Sequence, residues 1–270
     1  MDLIDTLFDM KFSIITVNFN NPEGLERTIR SVINQTSTDY EYIVVDGDST
    51  KGDVEVIHKY EPYINSWVSE KDTGIYNAMN KGVRMASGEY CLFINSGDEL
   101  YSPSMLEEVA AKGISADFVQ GVICRPGKKE TFVNPPQEKD ITLGWYVWGN
   151  NNYHQASLIK RDLLIAHPYD EVLKVASDLK FNVEVLIKHG CSYQPIDVVI
   201  AKYEYGGVSS QKKHADESKI LFASLFGDRI MKDYYQLMYT HRFPINRIMP
   251  TLRSISTWTL WNKFRRNVNR

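Results

Sequence analysis

Between Lys11 and Asp98, short apolar runs alternate with amphipathic stretches, and this alternation restricts the fold more than any other feature of the chain. The runs are Phe12–Asn18, Glu41–Val45, a short one around Trp67-Val68, and Tyr90–Ile94. All are rich in β-branched and aromatic residues, as buried strands are. Between them, Leu25, Ile29, Val32 and Ile33 recur at helical spacing as far as about Asn34, and Val54 to Tyr60 forms a second helical stretch. A third places Ile75, Met79, Val83 and Ala86 on one stripe, with Ala78 and Gly82 alongside and Gly88 as its stop. Strand and helix in strict turn, joined by short loops, imply a mostly parallel, doubly wound α/β sheet of Rossmann-like build. Such sheets bind ligands just outside the carboxyl ends of their strands. Three of those ends carry acids, at Asp46, at Asp72 and at Asp98 in the turn Asn95-Ser96-Gly97-Asp98.

After Asp98 the pattern loosens. Pro103 to Lys112 reads as a helix and Phe118 to Cys124 as a strand. Residues 125–153 are rich in Gly, Pro, Asn and aromatics (Trp145, Tyr146, Trp148, Tyr153), and long irregular segments of this kind are often functional. Tyr153-His154-Gln155 leads into the apolar run Ala156 to Ile159. Ser177-Asp178 is expected to cap a helix with Leu179, Val183, Leu186 and Ile187 on one face, ending at Gly190. Val198 to Tyr203 reads as a late strand, followed by a glycine- and serine-bearing loop over 206–210 and a helical, aromatic remainder. The expected organisation is a domain over 1–210, with halves 11–100 and 101–210, and a helical extension over 211–270.

Bulk composition narrows the class. At 43% hydrophobic and 24% charged, 270 residues suit a soluble globular protein with a sizeable core. Cys91, Cys124 and Cys191 are odd in number and widely spaced, which argues against a disulfide framework or a structural zinc site and suits a reducing compartment. No run of 18 apolar residues occurs, so no membrane span is expected. The first ten residues carry three acids and no basic segment, unlike a secretory signal. The net charge of −3 divides into +7 over residues 234–270, which hold no acid, and −10 elsewhere. Trp258, Leu260, Trp261 and Phe264 interleave with those basic residues. Two readings stand: a segment lying on an anionic membrane surface, or a terminal helix packed on the domain with a solvated basic face.

The first βα loop excludes a common nucleotide-binding solution. It reads Asn18-Phe-Asn-Asn-Pro-Glu-Gly24, with no G-x-G-x-x-G, and no Walker G-K-[ST] appears elsewhere. A nucleotide bound at this sheet would be held through acids and a metal. Four segments, Ser13 to Asn20, Val44 to Thr50, Ser69 to Gly82 and Ala86 to Asp98, resemble the family-2 glycosyltransferases. The resemblance is dense over about the first hundred residues and then thins to His154-Gln155 and Asp178. It implies the GT-A fold and an inverting transfer, often in the assembly of bacterial surface polysaccharides. One departure stands out, because the family's metal motif is Asp-x-Asp and Ser96-Gly97-Asp98 keeps only the last acid.

The resemblance gives the residues expected roles. Thr16, Asn18, Asp46, Asp72, Lys81, Asn95 and Ser96 would line the nucleotide-sugar, with Asp46 accepting from the base. Asp98 would hold Mn²⁺ or Mg²⁺, and Asp178 would be the general base. Plainer readings remain beside these: a turn acid at Asp46 and Asp72, an exposed helical lysine at Lys81, a helix N-cap at Asp178. Trp145, Tyr146 and Trp148 either stack on sugars or fill the core, and His154 and Gln155 either meet acceptor or phosphate or are structural. His214 is a further candidate phosphate or metal ligand.

The expected function is transfer of a sugar from a nucleotide-diphosphate-sugar, UDP-linked by preference, to a hydroxyl of a saccharide or lipid-linked acceptor. The expected place is the cytoplasmic face of the membrane, with no nucleic-acid partner. A sugar-phosphate nucleotidyltransferase would show a glycine-rich, basic loop after the first strand, and none is present. A receiver-like or sugar-binding module would leave Asp98 and Asp178 unexplained.

Overall fold

The computed structural model describes residues 11–125, 127, 129–147, 149–203 and 214–242. The chain divides into two compact units at Ser218/Lys219. The first opens with β1 (Phe12–Asn18), α1 (Pro22–Ile33), β2 (Tyr40–Asp46), α2 (Asp53–Tyr60), β3 (Ser66–Ser69), α3 (Ile75–Met85) and β4 (Tyr90–Phe93). It continues through β5 (Glu99–Leu100), α4 (Met105–Ala111), β6 (Phe118–Arg125), β7 (Thr131–Val133), α5 (Leu143–Val147), β8 (Ser157–Lys160), α6 (Arg161–Ala166), α7 (Ser177–Asn182) and β9 (Tyr193–Lys202). Helix α8 (His214–Phe226) crosses the divide, and α9 (Asp228–Arg242) lies in the second unit.

The strands form one sheet in the order β3-β2-β1-β4-β8-β6-β9-β5, with β7 on β6. Neighbours from β3 to β4 are parallel, as the alternating pattern requires. β8 then enters antiparallel to both β4 and β6, after which β9 runs parallel to β6 and β5 antiparallel to β9. The result is a mixed sheet whose amino-terminal half is parallel.

Side chains alternate across the strands, so the core has two faces. On one, Leu25, Ile29 and Val32 of α1, Ile57 of α2 and Leu106 and Val109 of α4 pack on Ile14, Tyr42, Val44 and Leu92. All are essentially buried, and each contributes about 1.5–3 kcal/mol of transfer free energy. On the other face Gly82 of α3 lies directly on Ile15, leaving no room for a Cβ. Register sets Asn18, Asp46 and Ser69 side by side at the carboxyl ends of β1, β2 and β3. That edge is where the site is built.

Three local expectations change. Gly88 is not a helix cap, since α3 ends at Met85 with Ala86 as its C-cap. A Cβ at Gly88 would meet Ser13 Oγ at 2.7 Å and the Phe12 carbonyl carbon at 2.8 Å, while its amide donates to Glu41 Oε1 at 3.0 Å. Ser177-Asp178 does not cap α7: the N-cap is Ala176 without a side-chain bond, and Ser177 Oγ is buried with no partner. The segment 125–153 is not wholly irregular, because it holds β7 and α5. Among the described residues no helix is long and apolar enough to cross a membrane. Trp148, the 206–210 loop and the basic stretch beyond Arg242 lie outside the described residues.

Candidate active site

The edge formed by β1 to β3 is a dense hydrogen-bond network in which Asn18 Oδ1 and Asp53 Oδ2 are left without partners. Asp46 is fully buried, and its carboxylate accepts from Asn18 Nδ2 (2.7 Å), Ser49 Oγ (2.6 Å), the Ser49 amide (2.9 Å) and Ser69 Oγ (2.7 Å). Burial pushes its pKa up, but those four donors outweigh burial and hold it below the ordinary carboxylate value. A carboxylate offers about four acceptor positions, and in this structure all of those on Asp46 are taken up in bracing the loop. Asn18 is part of the same brace, since Nδ2 also donates to Asp53 Oδ1 at 2.9 Å. Thr16 is likewise not at the edge: it is buried in β1, with its hydroxyl 3.0 Å from that of Tyr42.

What the edge does present is Phe19 and Asp72. They flank Gly47, where a Cβ would meet Asp72 Oδ2 at 2.6 Å and Phe19 Cδ2 at 3.2 Å. Phe19 is 63% exposed, an aromatic plane left on the surface at a strand's end. Asp72 Oδ1 accepts from the Gly74 amide at 3.0 Å. Burial raises its pKa and the Asp46 charge adds to this, against the Gly74 amide and Lys81. Lys81 is only 15% exposed and bonds Glu70 Oε1 at 2.8 Å and the Lys71 carbonyl at 3.2 Å, bracing the Asp72 loop.

The turn after β4 is tied to the His154-Gln155 segment. Asp98 is 4% exposed, and its Oδ2 accepts from Gln155 Nε2 at 3.0 Å. Asn95 Nδ2 lies 2.9 Å from His154 Nε2, and Asn95 Oδ1 is buried without a hydrogen-bond partner. Ser96 Oγ donates to the Asn21 carbonyl at 3.2 Å. A buried carboxylate and an unpartnered amide oxygen within one four-residue turn are donors of the kind a hard cation such as Mn²⁺ or Mg²⁺ takes, so Asp98 and Asn95 fit a metal.

From this turn His154 reaches Asp178, with Nδ1 3.6 Å from Oδ2. Asn151 Nδ2 approaches the same oxygen at 3.3 Å. The other oxygen, Oδ1, accepts from the Leu179 amide at 2.8 Å and lies 3.1 Å from the Tyr76 hydroxyl, whose shorter bond, 2.6 Å, is to the Val175 carbonyl. Burial, then the facing Asp178 charge, push the Tyr76 phenol well above its usual range, so it stays protonated and keeps its bond to the Val175 carbonyl. Asp178 lines a cleft of about 390 Å³ together with His154, Trp145, Arg125, Asn134 and Tyr203. Arg125 lies over the Tyr153 ring, 5.0 Å from its centroid. Tyr146, by contrast, is core, its hydroxyl 2.6 Å from Asn152 Oδ1. His214 opens α8 with its side chain outside the described part.

Sequence reasoning missed Phe19, Tyr76, Asn151 and Arg125. Phe19 had a signal, an aromatic in a polar loop directly after a strand. The others act only through folding, since Tyr76 meets a residue 102 positions on.

Residues 13–172 match the family described as Glycosyl transferase family 2. A PGL/p-HBAD biosynthesis glycosyltransferase of Mycobacterium bovis is 29% identical over 259 residues, 92% of this chain and 96% of that protein. TarS 1-349 of S. aureus in complex with UDP-GlcNAc has a similar fold, with a TM-score of 0.59 and 20% identity. That match covers 75% of this chain and 61% of the other. So does the mannosyltransferase PcManGT from Pyrobaculum calidifontis in complex with GDP-Man and Mn²⁺, at a TM-score of 0.56 and 16% identity, over 83% of this chain and 64% of the other. This chain thus spans under two thirds of both solved structures. The family match leaves no place for the nucleotidyltransferase or receiver-like readings. Because it takes in more than half of the chain, this protein belongs to glycosyl transferase family 2 and is a glycosyltransferase.

Proposed function

We propose that this enzyme inverts the anomeric centre as it moves one sugar from a UDP-sugar to an acceptor hydroxyl on a glycolipid or lipid-linked saccharide. The observation that carries the reading is the Asp178 carboxylate in the cleft, joined through His154 to the turn of Asp98. The donor base lies against Phe19 and Asp72, the diphosphate at the Asn95–Asp98 turn, and the acceptor in the cleft beside Trp145. Uridine and the lipid-linked acceptor draw on TarS bound to UDP-GlcNAc and on the mycobacterial relative.

Asp178 Oδ2 takes the acceptor proton as the acceptor oxygen forms its bond to the anomeric carbon. The bond from that carbon to the diphosphate breaks, and its electron pair leaves with UDP. The Leu179 amide holds Oδ1, so the less tightly bonded oxygen faces the reaction. A divalent ion held by Asp98 and Asn95 would supply Lewis-acid relief of charge on the departing diphosphate. The basic, tryptophan-bearing stretch beyond Tyr234 would hold the enzyme at the anionic cytoplasmic membrane face, on sequence grounds alone.

The test uses hydrolysis of a UDP-sugar by water, which needs no acceptor. Asp178→Asn should reduce UDP release to background while UDP still raises the melting temperature. Turnover retained in that variant removes Asp178 as the base, and an unaltered melting temperature in the parent removes the UDP donor.

A further inference from the structure

The helix that begins at Ser177 does not stay α-helical. From Val183 to Lys188 it widens into a π turn, in which the His189 amide donates to the Glu184 carbonyl at 3.0 Å. Such turns are rare and cluster at functional sites. In an α-helix, five residues carry a side chain about 140° away around the axis. A turn closed by an i→i+5 bond instead brings residues five apart onto nearly one face. Glu184 Oε1 accordingly lies 3.7 Å from His189 Nε2. A third group joins from another segment: His167, just after α6, sets its ring 4.7 Å from that of His189 at an angle of 35°. Ligand atoms of His167, Glu184 and His189 all lie within 4.8 Å of one another.

We propose that His167, Glu184 and His189 form a second metal site, for a divalent transition ion of the zinc class, completed by water. Two imidazoles and one carboxylate suit zinc, whereas magnesium and manganese prefer oxygen. The site is therefore chemically separate from the Asp98 turn, and none of its residues lines the cleft. Two ligands on one tetrahedral zinc stand about 3.3 Å apart, given bonds of about 2.05 Å, so side-chain rotation closes the present spacing. His167 and Glu184 are half-buried and His189 is exposed, which leaves an ion a path from solvent.

The placement gives the ion a job. Beyond His167, Tyr169 exchanges two hydrogen bonds with Asn80 of α3, and Glu171 accepts from Asn80 and Asn77. The same α3 supplies Tyr76 to Asp178. Zinc would clamp the helix that carries Asp178 to the segment that anchors α3. The site stands whether or not Asp178 is the base.

The experiment uses full-length protein without a polyhistidine tag, stripped with chelator and titrated with Zn²⁺ and Co²⁺ in excess Mg²⁺. The expected result is one ion per chain, a visible cobalt d–d band of a tetrahedral nitrogen–oxygen site, and a higher melting temperature with zinc. Asp98→Asn keeps all three. His167→Gln and His189→Gln each weaken zinc binding tenfold or more, with Glu184→Gln as a third variant should either alter the metal-free melting temperature. Zinc uptake unchanged in the His167→Gln/His189→Gln double variant, or absent in the parent, overturns the proposal.

Discussion

Asp178 Oδ2 lies 3.6 Å from His154 Nδ1, and the opposite nitrogen of that ring lies 2.9 Å from Asn95 Nδ2. The ring lies between the Asn95 side chain and the Asp178 carboxylate, with one nitrogen toward each. One imidazole thus fixes where the proposed base stands relative to the turn that carries Asp98. His154→Ala should lower kcat for UDP-sugar turnover by about 10- to 100-fold, less than loss of the base itself. Donor affinity should change little. If titration shows donor affinity collapsing while kcat holds, His154 belongs to the donor pocket instead.

Asp46 makes a prediction about acid. Its folded pKa lies below the ordinary value, because the Ser49, Ser69 and Asn18 donors outweigh burial. A carboxyl lowered on folding contributes stability that is fully present above its unfolded pKa, about 4, and is lost as pH falls through the lower folded value. Asp46→Asn should therefore be less stable than the parent at neutral pH and lose less on acidification. Urea midpoints at neutral pH and across the carboxylate range measure this. Parallel acid curves for parent and variant would show that Asp46 carries no linked proton.

The two halves of the chain were unequally legible for a physical reason. Strands β1 to β4 and helices α1 to α3 are specified by local periodicity, so their bounds follow from runs such as Phe12–Asn18. The direction of β8 depends on pairing with β4 and β6, and the two residues of β5 pair with β9, partners no local pattern names. The acids were visible but their partners were not. Asp46 is enclosed by Asn18, 28 residues back, and Gln155 holds Asp98 from 57 residues away. Spacing marks which residues can do chemistry, and only the fold decides which are already occupied.

Gly88 illustrates the same point. It sits where a helix stop is expected, yet a Cβ there would strike Ser13 N at 2.9 Å and the Phe12 carbonyl carbon at 2.8 Å. Those are backbone atoms of a central strand and cannot swing aside. Gly88→Ala should destabilise the fold by about 2–3 kcal/mol through overpacking. Urea unfolding reads this directly, and a change under about 0.5 kcal/mol would mean β1 yields more easily than its burial implies.

The metal fit at Asp98 can be separated from catalysis by binding alone. A ligand at a hundred times its Kd stabilises the native state by about 2.7 kcal/mol, which for a domain of this size is about 5–10 °C in Tm. UDP with Mn²⁺ should produce such a rise, and UDP with EDTA should produce much less. Asp98→Asn should erase the difference, because the carboxylate beside Gln155 is the strongest oxygen donor of the turn. GDP serves as the comparison, since one solved neighbour binds GDP-Man. A larger rise with GDP would reassign the donor base and leave the metal argument intact. An equal rise with EDTA would mean that the single acid of Ser96-Gly97-Asp98 has let the enzyme hold its diphosphate through protein donors alone.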